Sequence, residues 1–232
     1  MSAVPPSDLP EPGGSTSPSN ESIPTVRPRP RWLRALGHDD PPARFEVDGK
    51  AFRRVTIFKH DAFAATALYE AADGSRPRVL GKFARRQPAF GVPMGWLGRW
   101  FHGRELRVFR RMAHHPLVPD LLGKVTIDGR SQPCAAARVF IEGKPLEPGD
   151  RPNDAFFPAL KKLIATCHDR RVAVVDLHKR DNIILGDDGR PYLMDFQISL
   201  APPTAGNWRG RGPWVWLDWR YVLLGSARRA DV

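Results

Sequence analysis

Residues 172–200 read VAVVDLHKRDNIILGDDGRPYLMDFQISL. Two short apolar runs, 182–185 and 191–194, flank Gly186-Asp187-Asp188-Gly189-Arg190. Asp-Gly between such runs predicts a hairpin. Asp176 lies before it, Asn182 stands at its entrance and Asp195 ends its far strand. A hairpin folds back, so Asn182 and Asp195 are expected side by side, with Asp176 a few residues upstream. Hard oxygen ligands gathered in this way suit Mg²⁺, which takes one or two carboxylates and fills its shell with water and phosphate. The plain alternative is an exposed hairpin with polar ends.

The rest of the chain bounds what this hairpin belongs to. Its 232 residues are 41% apolar, enough for one large domain or two lobes with a substantial core. Two cysteines, Cys134 and Cys167, are too few for a disulfide framework and fit a reducing cytosol. No apolar run is long enough to span a membrane, and the opening MSAVPPSDLP lacks the pattern of a secretory signal. A cytoplasmic location is therefore expected, with the inner face of a membrane as the place of any peripheral contact. The net charge of +11 attracts anions: nucleic acid, anionic lipid, nucleotide or phosphorylated substrate. No zinc-ligand spacing or RNA-binding motif accompanies it, which puts nucleic acid last among these partners.

Residues 1–43 are rich in Pro, Ser, Gly and Asp, and are expected to form a disordered leader, with a short helical touch at 31–36. Residues 52–58, 64–71 and 78–83 read as an antiparallel meander, with Lys82 near the end of its last strand. A basic helix follows at about 96–114. At 100° per residue, Phe101, Glu105, Val108, Phe109 and Met112 share one stripe, and Arg107, Arg110 and Arg111 lie off it. Glu105 is thus a carboxylate on an apolar face. Such a charge needs a buried partner, and Lys82 is the natural one; the alternative is that Glu105 reaches the edge of the stripe. Residues 121–127 and 135–141 read as another strand pair, turned at Asp128-Gly129, and 142–145 as a connector. Asn153 or Asp154 is expected to cap a second helix, whose stripe is Phe156, Leu160, Leu163, Ile164 and Cys167. Residues 201–212 read as a loop. Four Trp in the last 25 residues either cap the core of a short helical lobe or touch a membrane interface.

Strand with Lys, helix with inward Glu, connector, helix, then Asp…Asn…Asp on a hairpin: this order resembles the protein-kinase-like fold. Residues 167–177 (CHDRRVAVVDL) look like a kinase helix running into the catalytic loop, with Asp176 on the catalytic Asp. Asp195-Phe196-Gln197 resembles D-F-G, with Gln for Gly, and Val79-Leu80-Gly81-Lys82 resembles the V-A-I-K strand. The departures are also specific. Val174 and Val175 replace the His and Arg of H-R-D. Asn182 stands one residue further from Asp176 than is usual, as if His178 were inserted, which leaves Asp181 as the rival metal ligand. The 59–66 turn has no glycine, and no A-P-E segment follows. The chain is thus similar to reduced, atypical kinases such as the lipopolysaccharide core (sugar) kinases or the RIO-type kinases.

The resemblance implies an α+β, two-lobed fold: an antiparallel sheet plus one helix over 44–141, and a short, mostly helical lobe with a Trp-rich tail over 142–232. It implies ATP and Mg²⁺ as cofactors. Lys82, paired with Glu105, would hold the α- and β-phosphates, and backbone groups around Val139, Phe140, Ile141 and Glu142 would meet the adenine. Asn182 and Asp195 would carry the metal. Asp176 would orient the acceptor hydroxyl, and Lys179 would steady the γ-phosphate. The expected activity is transfer of that phosphate to an alcohol, a sugar of a lipid-linked glycan in the first instance. An atypical Ser/Thr protein kinase is the first alternative, and a non-catalytic pseudokinase that binds partners is the second.

Overall fold

The computed structural model describes residues 30–75, 77–88, 92–175, 177 and 179–201. Seven strands form one antiparallel sheet: β1 (Arg44–Val47), β2 (Lys50–His60), β3 (Ala64–Ala71), β4 (Val79–Ala84), β5 (Val125–Ile127), β6 (Arg130–Ser131) and β7 (Ala135–Val139). Their order is β6-β5-β1-β2-β3-β4-β7. The meander β2-β3-β4 is present as the sequence predicts. One further hairpin precedes it, turned at Asp48-Gly49, where φ is 50° and 78°. Left-handed backbone at both turn residues fits the twist of the flanking strands.

Two expectations need correction. Residues 121–127 pair with 135–141 at one bridge, Leu121↔Arg138, where the Leu122 N–H donates to Ala137 O at 2.9 Å, rather than along a ladder. The Asp128-Gly129 turn is as expected, but β5 folds back on the two-residue β6 and lays its other edge on β1. β7 instead joins β4, from Val79↔Val139 to Phe83↔Ala135. The physical reason is that β4 is buried along nearly its whole length, so its backbone needs a partner on both edges. Residues 30–43 do not belong to the expected leader. Residues 1–29 lie outside the described set, but 30–43 are built onto the sheet. Arg31–Leu33 form a 3-10 turn, and Ala35 is fully buried. The Ala35 N–H donates to Asp61 O at 2.7 Å, and Ala35 O accepts from the N–H groups of Arg86 and Gln87.

Two helices and a second sheet complete the described chain. Helix α1 spans Gly95–Arg111 and α2 spans Phe156–Asp169. The strands β8 (Gly143–Pro145), β9 (Ile183–Gly186) and β10 (Pro191–Leu193) form a sheet in the order β10-β9-β8. The stretch read as a connector is thus an edge strand. All five stripe residues of α2 are buried. Its expected side-chain cap is absent: the helix starts after Ala155, and the Asn153 amide instead donates to Gly189 O in the hairpin turn at 3.2 Å. The helix start is therefore fastened to the hairpin rather than closed on itself. A mostly helical second lobe also involves residues 202–232, which lie outside the described set, as does the Trp-rich tail.

Two cores result. One is the aromatic face of the large sheet, with Phe45, Phe52, Tyr69, Val79 and Phe83. The other joins α1 (Val108, Phe109, Met112) to α2 and the hairpin through Leu163, Ile183, Leu193 and Phe196. Among the described residues, no helix is long and apolar enough to cross a membrane.

Candidate active site

The site is assembled on β4 and β7. Lys82 faces Ala136 across the ladder, and Arg138 faces Leu80. Opposed residues share a sheet face, as do residues two apart. Lys82 and Arg138 therefore leave the same face as diagonal neighbours. Two carboxylates meet them. Lys82 Nζ lies 2.9 Å from Glu105 Oε1 and 3.3 Å from Asp195 Oδ1. Arg138 Nη1 lies 3.9 Å from the same Glu105 oxygen. The Lys82–Glu105 partnership expected from the helix stripe is thus present, and Glu105 does not reach the edge: its side chain is 6% exposed.

Burial and charge set the ionisation of this group. Desolvation works against the Lys82 ammonium, but Glu105 and Asp195 together outweigh it and raise its pKa. Burial pushes the Asp195 carboxyl up; Lys82, the Gln197 N–H and Arg138 overcome this and hold it down at about 2. Both groups are charged at neutral pH. The Asp195 side chain is 33% exposed, so it faces solvent from within the cluster.

The hairpin delivers Asp195 as its sequence predicts. β9 and β10 pair from Leu193↔Ile183 to Pro191↔Leu185. One step further, the Met194 N–H donates to Asn182 O at 3.1 Å. Asn182 and the residue before Asp195 are therefore in direct contact, while the neighbouring Asp181 is exposed. Asn182 ends a 3-10 turn, Arg180–Asn182, and its N–H donates to Lys179 O. An ionised carboxylate with a partly buried amide one hydrogen-bonded step away is a donor set that fits Mg²⁺. The expected catalytic Asp176 and the extra His178 lie outside the described residues.

The segment 139–142, expected to offer main-chain groups to a base, has several of those groups engaged within the protein. The Val139 N–H donates to Asp120 O and the Phe140 N–H to Arg78 O, while Glu142 O accepts from the Asp187 N–H. The Glu142 carboxylate is gripped by the Arg78 guanidinium fork. None of these bonds uses Ile141. The Phe140 ring stacks on Phe58 of β2, centroids 5.8 Å apart, and the Arg78 guanidinium lies 5.1 Å from the Phe140 centroid.

The β2–β3 turn is tight. Asp61 accepts from the N–H groups of Phe63 and Ala64 and pairs with Lys59 at 2.7 Å. Arg85, 5% exposed, donates to carbonyls of Leu33, Ala62, Gln87 and Pro88. Sequence reading missed this arginine because its partners are main-chain oxygens from three separate segments. It also missed His102, which is buried on α1 while Phe101 stands at the edge of the stripe. Burial first, then the charges of Lys82 and Arg110, lower the His102 pKa to about 4.

Helix α1 is tied to the segment after Asp195. Arg104 donates to Ile198 O at 3.1 Å and Ser199 O at 3.0 Å, and Arg107 to Ala201 O at 3.3 Å. At its far end Arg111 donates to Arg171 O, and Arg170 returns a bond to Arg111 O, both at 2.9 Å. Phe109 meets Phe196 edge to face at 5.1 Å.

No family model matches the chain, and no curated protein matches it. Among solved structures it is similar to the Rio2 kinase of Chaetomium thermophilum in its ADP/Mg²⁺–phosphoaspartate complex, at 12% identity and a TM-score of 0.54. The likeness covers 77% of this chain and 57% of that one. The fold is protein-kinase-like. Within such a fold, the antiparallel sheet with Lys82 and the helix with Glu105 form the first-lobe pattern that the residue order implies. The likeness reaches the architecture; the chemistry of the residues carries the rest.

Proposed function

We propose that this protein is an ATP-dependent phosphotransferase that moves the γ-phosphate to an alcohol acceptor, with a sugar hydroxyl of a lipid-linked glycan as the acceptor class. The observation that carries the reading is the buried Lys82–Glu105–Asp195 cluster, 2.9 and 3.3 Å apart. A merely structural ion pair does not need a third charged group held ionised and open to solvent. Here Glu105 fixes Lys82, and Lys82 points at Asp195. That is the arrangement for a cation to meet phosphate beside a metal-binding carboxylate. The solved relative, a kinase in complex with ADP and Mg²⁺, supports the same ligands.

In this reading Lys82 holds the α- and β-phosphates, and Asp195 and Asn182 hold Mg²⁺. The bound metal supplies charge neutralisation of the transferred group. Ile141 offers main-chain groups to the base, together with the Glu142 N–H, since the Val139 and Phe140 N–H groups and the Glu142 carbonyl are engaged within the protein. Asp176 orients the acceptor hydroxyl and takes its proton, and Lys179 steadies the γ-phosphate. The excess of basic residues draws anionic substrates or an anionic membrane surface toward the protein, in keeping with a cytoplasmic enzyme that works near a membrane face.

One observation favours a non-catalytic protein instead. The turn that would cover the phosphates is glycine-free and held by Asp61, Lys59 and Arg85. Incubation with radiolabelled ATP and separate lipid, membrane and protein fractions decides. Label is expected in the glycan-bearing lipid fraction, and Asp176→Asn should lower it about 100-fold or more, as for loss of a general base, with Mg·ATP binding kept. Label in generic protein would assign a protein kinase. No transfer, together with a thermal midpoint indifferent to Mg·ATP, sinks the phosphotransferase reading.

A further inference from the structure

Arg138 is a buried charge that this mechanism leaves unused. It is 7% exposed. Its Nη1 donates to Met194 O, the carbonyl immediately before Asp195. The same nitrogen lies 3.9 Å from Glu105 Oε1, and the guanidinium sits over the Phe109 ring, 5.1 Å from its centroid. Its Nε is buried and has no hydrogen-bond partner among the described residues. It lines a small crevice together with Lys82, Glu105, Phe109, Leu121 and Ala136. A buried arginine is costly unless its neighbours require it. Leucine would fill this place between β7 and α1 without that cost.

The requirement follows from the division of charge. Lys82 serves two carboxylates, Glu105 and Asp195. When it turns toward phosphate, and Asp195 toward a metal ion, Glu105 loses much of its compensation while staying buried. Arg138 cannot lose its proton at working pH and is anchored by a carbonyl on one side and a ring on the other. It supplies the charge that Glu105 then lacks. Through the Met194 carbonyl it also fixes the main chain from which the Asp195 carboxylate projects. Guanidinium suits this double task, since its planar fork can serve a carbonyl and a carboxylate while its face stacks on an aromatic.

We propose that Arg138 is a positioning residue: it aims Asp195 at the metal and keeps Glu105 compensated when Lys82 engages phosphate. This rests on the phosphotransferase reading. The test measures Mn²⁺ uptake by the full-length protein from loss of the free-ion spin-resonance signal, with and without saturating ADP. Binding of ADP alone is followed separately by its effect on the thermal midpoint. Wild type is expected to take up one Mn²⁺ per ADP site. Arg138→Met should bind ADP alone somewhat less tightly, because Glu105 then opposes the turn of Lys82 toward phosphate, but hold Mn²⁺ about 10-fold or more weakly, the larger loss expected when a group that orients a metal ligand is removed. Arg138→Lys, which keeps charge without the fork, should fall between. Wild-type Mn²⁺ affinity in Arg138→Met, or an equal loss of ADP and Mn²⁺ binding, overturns the proposal while leaving the phosphotransferase reading intact. Should Arg138→Met not fold, Arg138→Lys decides alone: unchanged Mn²⁺ affinity overturns the proposal. A wild type that takes up no Mn²⁺ with ADP removes both.

Discussion

The two faces of β4 are opposite solutions to burial. Val79, Gly81 and Phe83 point into the aromatic core with Phe45 and Tyr69. Leu80, Lys82 and Ala84 point the other way, and Lys82 meets Arg138, Glu105 and Asp195. The aromatic face is held by area removed from water and by ring geometry, including a Phe45–Tyr69 contact at 4.4 Å. It is tolerant of which residue does what, provided the volume is kept. The charged face is held by mutual neutralisation, and each member is answerable to the others. The first face stabilises the sheet; the second joins it to α1 and to the hairpin, which with α2 build the other core.

The strongest way to break the contrast is to remove one charge. Glu105→Ala should cost about 3 kcal/mol of stability, the low end for breaking a buried pair, because Asp195 remains on Lys82. Replacing both partners, Lys82→Met with Glu105→Leu, should recover most of that loss in a denaturant melt and leave phosphotransfer abolished. If the double variant is as unstable as the single one, the face is not governed by charge balance.

The next effect comes from pH. The buried His102 has a folded pKa near 4, below its ordinary 6.5. Between these values the unfolded chain binds more protons, so stability rises with pH. It is full above about pH 6.5 and is lost progressively as pH falls toward 4, by about 3 kcal/mol at most. Melts from pH 7.5 to 4 should show this slope, and His102→Gln should remove it. Asp195 acts at lower pH: with its folded pKa depressed to about 2, its contribution is present above its ordinary 3.8 and disappears as pH drops through 2.

A smaller effect probes the aromatic face. A Cβ on Gly81 would come within 2.7 Å of the Tyr69 ring and 3.2 Å of Phe45. Gly81→Ala should destabilise by about 1–3 kcal/mol through overpacking, with little change in Mg·ADP affinity. The smallest belongs to neither face. Arg53→Ala removes a surface pair with Glu70 and should change the midpoint by less than about 1 kcal/mol.

What the sequence disclosed follows the same division. The α2 stripe was legible because its five residues share one helix face, and burial follows directly from spacing. The hairpin was legible from Asp188-Gly189. Glu105 with Lys82 was legible because a lone carboxylate on an apolar stripe demands a cation. Arg138 gave no such signal: an arginine in a strand is ordinarily solvated, and its partners come from α1 and the residue before Asp195. The pairing of β7 with β4 was hidden for a related reason, since the Gly129 turn offered a nearer partner than the one β4 required. The docking of residues 30–43 was hidden because it uses main-chain bonds to Asp61, Arg86 and Gln87, which composition does not register.

Salt should therefore act on this molecule unevenly. The arginines that fasten α1 do so through neutral carbonyls at Ile198, Ser199, Ala201 and Arg171. A short charge–dipole contact changes little with ionic strength, whereas the pull of a +11 surface on a distant anion fades once the screening length falls to about 3 Å in 1 M salt. A salt titration then separates capture from construction: affinity for anionic substrates declines early, and α1 stays seated on the hairpin throughout.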